Sequence, residues 1–368
     1  MSYTIAVIEG DGIGPELVRA ATRVMDAAAA ATGVELAYES VRAGADRFRE
    51  TGSAVTPADM NRLREADGIL KGPVGLPDVR HPDGTEAGLL GGILRPGLDA
   101  YANIRPIRQI PGVPTVTTWR PGEIDYVIVR ENTEGLYLSR GLGVGNDQAC
   151  VDQLFVSRHG TERIARRAFE LARSRGGAPK DGVRRVTVVD KSNVLRSFAL
   201  FRAVTTEVAA AYPDVELDFR YTDAAAHDLI TDPAHFDVVL TENFVGDLLS
   251  DLGAATVGGL GMCPSANIGN RHAYFEPVHG SAPSIAGKDR ANPTSQILSG
   301  AMLLEHLGCR AAADLVLAAV TRTFAEGGGT LDARGCLVDG AEAYVDQVVS
   351  RVEAAGATRD LTRPSRAD

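Results

Sequence analysis

Between Arg220 and Arg271 the chain carries no lysine or arginine, and it holds seven carboxylates: Asp223, Asp228, Asp232, Asp237, Glu242, Asp247 and Asp251. Asp247 and Asp251 stand four apart in GDLLSDLG, a spacing that stacks both carboxylates on one face of a helix. Left alone, such a pair is repulsive by roughly a few tenths of a kcal/mol. A divalent cation turns the repulsion into coordination, and hard ions such as Mg²⁺ or Mn²⁺ take oxygen ligands of this kind. A solvated acidic face is the commoner fate of an acid pair. Here Val245, Leu248, Leu249 and Leu252 surround it with no interspersed cation, and the metal reading is favoured.

Other residues offer complementary chemistry. Arg95 in GGILRPG, Arg105 in YANIRPI and Arg130 in YVIVREN each sit beside apolar residues rather than in charge runs. A guanidinium fork grips carboxylates in two-point fashion, so three converging forks suit a di- or tricarboxylate, whereas any one alone reads as a structural ion pair. Tyr137 in RENTEGLY follows a strand and a polar turn; it is either a packed tyrosine or a proton donor tuned by its neighbours. Lys191 closes the strand of VTVVDKSNVLR. Only four of the 38 basic residues are lysines (Lys71, Lys180, Lys191 and Lys288), which singles it out. The carboxyl end of a strand in an α/β fold is where ligands bind, and a lysine there acts as a base once desolvation or a cation lowers its pKa.

Two glycine-bearing segments concern a cofactor. EGDGIGPE places Gly10, Gly12 and Gly14 between a strand and a helix, but the spacing is not GxGxxG, so a tight turn is the expectation rather than a phosphate cradle. EPVHGSAPSIAGKDRANP (276–293) reads as a shaped loop that runs into a helix at Pro293. Backbone amides and that helix start could hold a pyrophosphate, with His279 stacking on or hydrogen-bonding to the cofactor.

The elements that must position these groups are legible in part. Thr4 to Ile8, Gly68 to Leu70, 125–131, 186–191 and 237–243 read as strands rich in Val and Ile. Helices are expected from Pro15 to near Gly33, from Pro57 to near Asp67, and over 161–175, 195–211, 293–307, 311–326 and 339–354, with a frayed polar tail TRDLTRPSRAD. Alternating strands and helices predict an α/β fold with a mostly parallel sheet. No linker or repeat divides the chain, so any second lobe must be an insertion. The net charge of −10 argues against a nucleic-acid partner, and no apolar run reaches bilayer-spanning length. Four scattered cysteines and a start without signal-peptide character lead us to expect a cytoplasmic protein.

In combination, EGDGIGPE, YANIRP, RENTEGLY, the Asp247/Asp251 pair and EPVHGSAP with ANPTSQILSGAMLL resemble the β-decarboxylating dehydrogenases. That family comprises isocitrate, homoisocitrate, 3-isopropylmalate and tartrate/D-malate dehydrogenases, and the resemblance runs from about Ile5 to about Val349. It implies a two-lobed α/β fold with a large mixed, mostly parallel sheet flanked by helices. One lobe would comprise 1–103 with 262–368, the other 104–261. It implies a homodimer with a shared active site. Arg95, Arg105 and Arg130 would clamp the malate carboxylates, Tyr137 would protonate the enolate, and Lys191 would help deprotonate the hydroxyl across the dimer interface. Asp247 and Asp251 would ligate Mg²⁺ or Mn²⁺, with Asp223 from the other subunit. Asn243, Glu276, His279, Gly280, Ser281, Ala282, Ser284 and Asn292 would face the dinucleotide.

Two departures bear on specificity. NAD-using relatives carry an aspartate after HGSAP where this chain has Ser284, and NADP-type relatives place Lys-Tyr where it has Ser284-Ile285; NAD is the expectation, with NADP as the alternative. In GLLGGILR (88–95), where the family reads the substituent on the malate β-carbon, isocitrate enzymes place a serine and homoisocitrate enzymes an arginine. Leu89, Leu90, Gly91, Gly92 and Ile93 suit an apolar substituent, as in 3-isopropylmalate. IRPIRQIPGVP is similar to the tartrate/D-malate branch and VIVRENTEGLY to the homoisocitrate branch, so both stay as alternatives. A non-catalytic regulatory paralogue is the rival from another class; retention of Lys191, Tyr137 and the three aspartates counts against it. A pyridoxine-pathway dehydrogenase would use histidines for its metal.

Overall fold

A computed structural model describes residues 2–82 and 84–362, with side chains described up to 358. The chain opens with β1 (Ser2–Ile8), α1 (Gly14–Thr32), β2 (Glu35–Ser40), α2 (Ala45–Thr51), α3 (Pro57–Glu65) and β3 (Gly68–Lys71). There follow α4 (Gly91–Gly97), β4 (Ala102–Arg108), β5 (Asp125–Glu131), a two-stranded ribbon β6 (Val144–Gly145) and β7 (Cys150–Val151), α5 (Arg158–Ser174), β8 (Arg185–Asp190) and α6 (Arg196–Ala209). Then come β9 (Glu216–Tyr221), α7 (Thr222–Thr231), β10 (Val238–Thr241), α8 (Asn243–Thr256), β11 (Pro264–Ile268), β12 (Ala273–Pro277), α9 (Thr294–His306), α10 (Arg310–Ala325) and α11 (Ala341–Thr362).

Ten strands form one sheet in the order β2-β1-β3-β12-β11-β4-β5-β10-β8-β9. The pairings β12–β11, β11–β4 and β4–β5 are antiparallel and the others parallel. Strands from the two ends of the chain therefore fill one half of the sheet and strands from its middle the other, meeting at β11–β4.

Strand alternation explains the burial of both faces. In β5, Val127 and Val129 join the larger core with Val24, Phe169, Phe201 and Leu303, while Tyr126 and Ile128 join a second core with Val239, Leu249 and Phe236. Helix ends follow their caps. Pro15 opens α1, and Gly33 closes it at φ 71°; Thr56 and Asp59 form a reciprocal capping box on α3.

Some expected boundaries shift. Ser157 caps α5 through a bond from the Gly160 amide (2.9 Å), so that helix begins at Arg158 rather than 161. The polar end is not frayed from residue 358, because α11 continues to Thr362; the remainder of the tail lies outside the described residues. Short strands β2, β9, β11 and β12 carry too little periodic signal to be read from sequence, whereas Arg105 does fall on a strand, β4. Through β12 the first two residues of segment 276–293 belong to the sheet rather than to a loop, and Pro283–Ile285 forms a 3₁₀ turn within it. No helix among the described residues is long and apolar enough to cross a membrane.

Candidate active site

Helix α8 positions the acid pair. Glu242 caps it by accepting from the Val245 amide (2.6 Å), and Val245, Leu249 and Ala254 pack into the second core. Gly246 faces β5 so closely that a Cβ there would stand 2.6 Å from Cγ of Arg130. Only a glycine permits that approach, which lays Asp247 against the guanidinium. This is a site residue the sequence reading missed, although a glycine inside an apolar helix is a visible signal of close packing.

Asp247 is the hub. Arg130 Nη1 donates to Asp247 Oδ1, and the Tyr137 hydroxyl donates to Oδ2 at 2.7 Å. Arg105 lies 3.6 Å from the same carboxylate and 3.3 Å from that of Asp251, and Arg105 Nη1 also donates to Ser250 Oγ at 2.5 Å. Arg130 is only 1% exposed, and its Nε and Nη2 donate to Asn243 Oδ1 (3.0 and 2.6 Å). Burial, then the neighbouring charges of Arg95 and Arg105, push its pKa down to about 9, which leaves it charged at neutral pH.

The acids and the phenol respond to this field. Burial alone would raise Asp247, but Arg130, Tyr137, Arg105 and Arg95 outweigh it and hold the carboxyl below its ordinary value. Burial raises Asp251, with Arg105 only partly offsetting it. Tyr137 is raised by burial and by its bond to Asp247, so it keeps its proton. Its ring stands edge-on to Phe244, 6.1 Å between centroids, and the Arg130 guanidinium lies 5.7 Å from its centre.

Lys191 and Asp223 stand apart from this cluster. Lys191 follows β8, and its Nζ donates to Asp223 Oδ1 at 2.6 Å at the start of α7. That bond holds the Asp223 carboxyl below its ordinary value. Among the described residues no group of three or more His, Cys, Asp or Glu comes together to hold a metal.

The segment after β12 is anchored at both ends. Glu276 binds Lys71 Nζ (2.5 Å) and Asn267 Nδ2 (2.9 Å); burial would raise it, but Lys71 draws its pKa below the ordinary value. The Ser281 carbonyl accepts from the Ile13 amide (2.8 Å), and its hydroxyl binds the Gly75 carbonyl. Gly12 has φ 58°, and a Cβ on it would collide with that Ser281 carbonyl, so the glycine turn docks the loop rather than cradling phosphate. Gly280, Ala282 and Ser284 are exposed, with Ala282 in the left-handed region at φ 36°. Burial lowers the His279 pKa, which keeps its ring neutral. Asn292 is buried and turns inward, its Oδ1 accepting from the Thr294 amide (3.1 Å) at the start of α9. Asn243 is buried too, bound to Arg130 and, through Nδ2, to the Glu134 carbonyl (2.7 Å).

A model of the isocitrate/isopropylmalate dehydrogenase family matches residues 4–348. The chain belongs to that family. A 3-isopropylmalate dehydrogenase of Beutenbergia cavernae is 43% identical over 338 residues, covering 90% of this chain and 94% of that protein. One from Aquifex aeolicus is 38% identical over 366 residues, covering 95% and 97%. The isocitrate dehydrogenase from Methylococcus capsulatus has a TM-score of 0.83 at 37% identity, covering 95% of this chain and 99% of that one. A β-decarboxylating dehydrogenase from Thermococcus kodakarensis has a TM-score of 0.79 at 38% identity, covering 99% and 100%.

The chain is thus a β-decarboxylating dehydrogenase, an oxidoreductase of a family that uses NAD and a divalent metal. Its residues fit both groups. Asp247 and Asp251 offer hard oxygen donors on one helix face, with the Asp251 side chain 57% exposed. The exposed Gly280, Ala282 and Ser284, beside a neutral His279, form an uncharged surface with open backbone suited to a dinucleotide.

Proposed function

We propose that this chain catalyses the NAD-linked, divalent-metal-dependent oxidative decarboxylation of a 3-substituted malate, with 3-isopropylmalate the leading candidate. The names of the most similar relatives support that substrate. The observation that carries the reading is the convergence of Arg105, Arg130 and the Tyr137 hydroxyl on Asp247, beside Asp251.

In this reading Arg95, Arg105 and Arg130 hold the malate carboxylates, and in the free enzyme Asp247 and Asp251 occupy part of that clamp. Lys191 of the partner subunit takes the hydroxyl proton, and a bound nicotinamide would supply the acceptor for the hydride that leaves the carbon bearing that hydroxyl. The resulting β-keto acid loses its neighbouring carboxylate, and the protonated Tyr137, raised in pKa, delivers a proton to the enolate carbon. A Mg²⁺ or Mn²⁺ ion held by Asp247 and Asp251, with Asp223 of the partner subunit, would supply Lewis-acid stabilisation of the charge developing on the substrate oxygen. Glu276, His279, Gly280, Ser281, Ala282 and Ser284 form the dinucleotide side; Asn243 and Asn292 serve it indirectly, by fixing Arg130 and the α9 start. Ser284 carries no charge, so it leaves NADP as the weaker alternative to NAD.

The homodimer reading rests on exposed apolar side chains near both half-sites. Leu248 lies on the acid-pair helix with 56% exposure, and Val194, Leu195, Leu200 and Phe244 are exposed nearby in sequence to Lys191 or on α8. The ribbon residues Val144 and Val151 are exposed as well. We infer that the two sheet halves correspond to lobes 1–103 with 262–368 and 104–261, although that boundary cuts into β4. A cytoplasmic location completes the proposal.

The test is a panel of 3-substituted malates with Mg²⁺ or Mn²⁺ and with NAD or NADP. Reduction of NAD with release of carbon dioxide is expected. A homogeneous, folded protein that turns over none of the panel would sink the proposal in favour of a regulatory role.

A further inference from the structure

The substrate side and the cofactor side of the site are joined by a buried amide. The two halves of the sheet meet where β11 pairs with β4, and there Asn267 lies directly opposite Asn103. Asn103 stands two residues before Arg105, on the same face of β4, and opposite Arg130 across β5. Asn132 follows β5 and lines a cavity of about 210 Å³ together with Arg95 and Tyr137. Segment 88–95 contributes Gly91 and Gly92 to that cavity, while its Leu90 is turned into the core. Asn103, Asn132 and Asn267 are all buried.

The bonds among them run in one direction. Asn103 Nδ2 and Asn132 Nδ2 each donate to Asn267 Oδ1 at 2.9 Å, and Asn267 Nδ2 donates to Glu276 Oε1 at 2.9 Å. An ionised carboxylate only accepts, so Glu276 decides which end of the Asn267 amide faces it. Turned about, that amide would set its oxygen against the carboxylate and its NH₂ against two other NH₂ groups. The orientation of Asn267 thus fixes those of Asn103 and Asn132. Both donate once more, Asn103 to Ser265 Oγ (2.8 Å) and Asn132 to the Ala100 carbonyl (3.0 Å). Their own Oδ1 atoms are buried and, among the described residues, without a partner. Leaving an acceptor buried and unpaired is unfavourable, yet both donors stay on Asn267. A network that served stability alone would pair those acceptors.

We propose that Asn267 is a positioning residue that couples substrate binding to dinucleotide binding. Glu276, on the dinucleotide side, sets its amide, and the amide sets Asn103 and Asn132 beside the arginine clamp. A ligand that fixes one end of this relay fixes the other, so each ligand favours its partner. This rests on the proposed function above, which puts the malate at Arg95, Arg105 and Arg130 and the dinucleotide at Glu276.

The test is a ratio of dissociation constants. NADH is titrated by its fluorescence in Mg²⁺, with and without saturating 3-isopropylmalate (or whichever malate of the panel is turned over best), a mixture that cannot react. In the wild-type enzyme the malate should tighten NADH binding by at least about 5-fold, the lower end of the usual coupling between sites. Asn267→Ala, which cuts both links, should bring the ratio to about one, the value for uncoupled sites. Asn132→Ala, at the edge of the cavity, removes one donor and should lower the ratio part-way; it decides the matter if Asn267→Ala does not fold. Asn267→Asp combined with Glu276→Gln reverses the one bond, keeps the number of carboxylates and leaves the acceptor for both asparagines, so it should restore coupling. A loss of stability alone would not move the ratio, because both titrations use one folded preparation. A ratio unmoved by these substitutions, or a wild-type ratio not above about one while both ligands bind, overturns the coupling role and leaves the parent function standing. No binding and no turnover of any malate overturns both.

Discussion

Asp247 and Asp223 carry the same expected task in opposite surroundings. Asp247 is ringed by Arg130, Arg105 and the Tyr137 hydroxyl, three groups brought from β4, β5 and the turn beyond it. Asp223 is 75% exposed at the start of α7, with Lys191 as its partner. One half-site is assembled and electrostatically strained toward its anions; the other is a simple ion pair at the surface. Preorganised charge is worth far more where water is excluded, so the first arrangement suits chemistry on its own terms, while the second gains comparable effect only when another surface covers it. In the proposed dimer, a second copy seated over Leu200 of α6 and Leu248 of α8 would desolvate the weaker half.

Four experiments can break or sharpen this contrast. Asp247→Asn should cost the most, lowering kcat by about 100- to 1,000-fold, the range seen when a single stabiliser of developing charge is removed. Steady-state assays at saturating Mn²⁺ check it, and near-normal turnover would remove Asp247 from the site. Next, Asp247→Asn and Lys191→Ala should each be inactive alone, yet refolding them together should recover roughly a quarter of wild-type activity, because half the dimers are mixed and each has one intact site. Failure to complement would place Lys191 and Asp247 in the same subunit's site.

Arg130→Ala should lower the unfolding free energy by about 3–5 kcal/mol, the usual cost of breaking a buried ion pair from one side. Denaturant unfolding measures this, and a loss below 1 kcal/mol, the ceiling for about all exposed pairs, would make the buried contact no different from a surface one. Smallest is the effect of acid at the other half-site. Because Lys191 depresses the folded-state pKa of Asp223, the pair contributes above the unfolded carboxylate value, near about 3.9, and its contribution is lost as pH falls through the folded value. Lys191→Ala should therefore lower stability only slightly at neutral pH, as for an exposed pair, and the difference from wild type should vanish once acid has protonated Asp223. A shift matching that of Arg130→Ala would erase the distinction between the two sites.

The local setting of several candidate site residues was legible in the linear chain. The i,i+4 acid pair falls on a helix as its spacing requires, Arg105 and Arg130 fall on strands, and Pro15, Gly33 and Thr56 mark helix ends where their backbone preferences predict. Such signals survive because they depend on neighbours a few residues apart. The use made of segment 88–95 was not legible. GLLGGILR looks apolar in sequence, but which of its side chains meet the cavity depends on how α4 rotates against the core, and that rotation buries Leu90 and exposes two glycines to Arg95 and Arg140.

The sequence alone determined the stock of groups: hard oxygen donors, guanidinium forks, a tyrosine, an isolated lysine and a cofactor-type loop. Tertiary structure alone decided who meets whom. Tyr137 reaches Asp247 across 110 residues and Lys71 reaches Glu276 across 205, contacts set by the order in which strands enter the sheet. Local propensity carries no information about that order, because it is fixed by burying both sheet faces at once, and the fields that tune these side chains exist only after that burial.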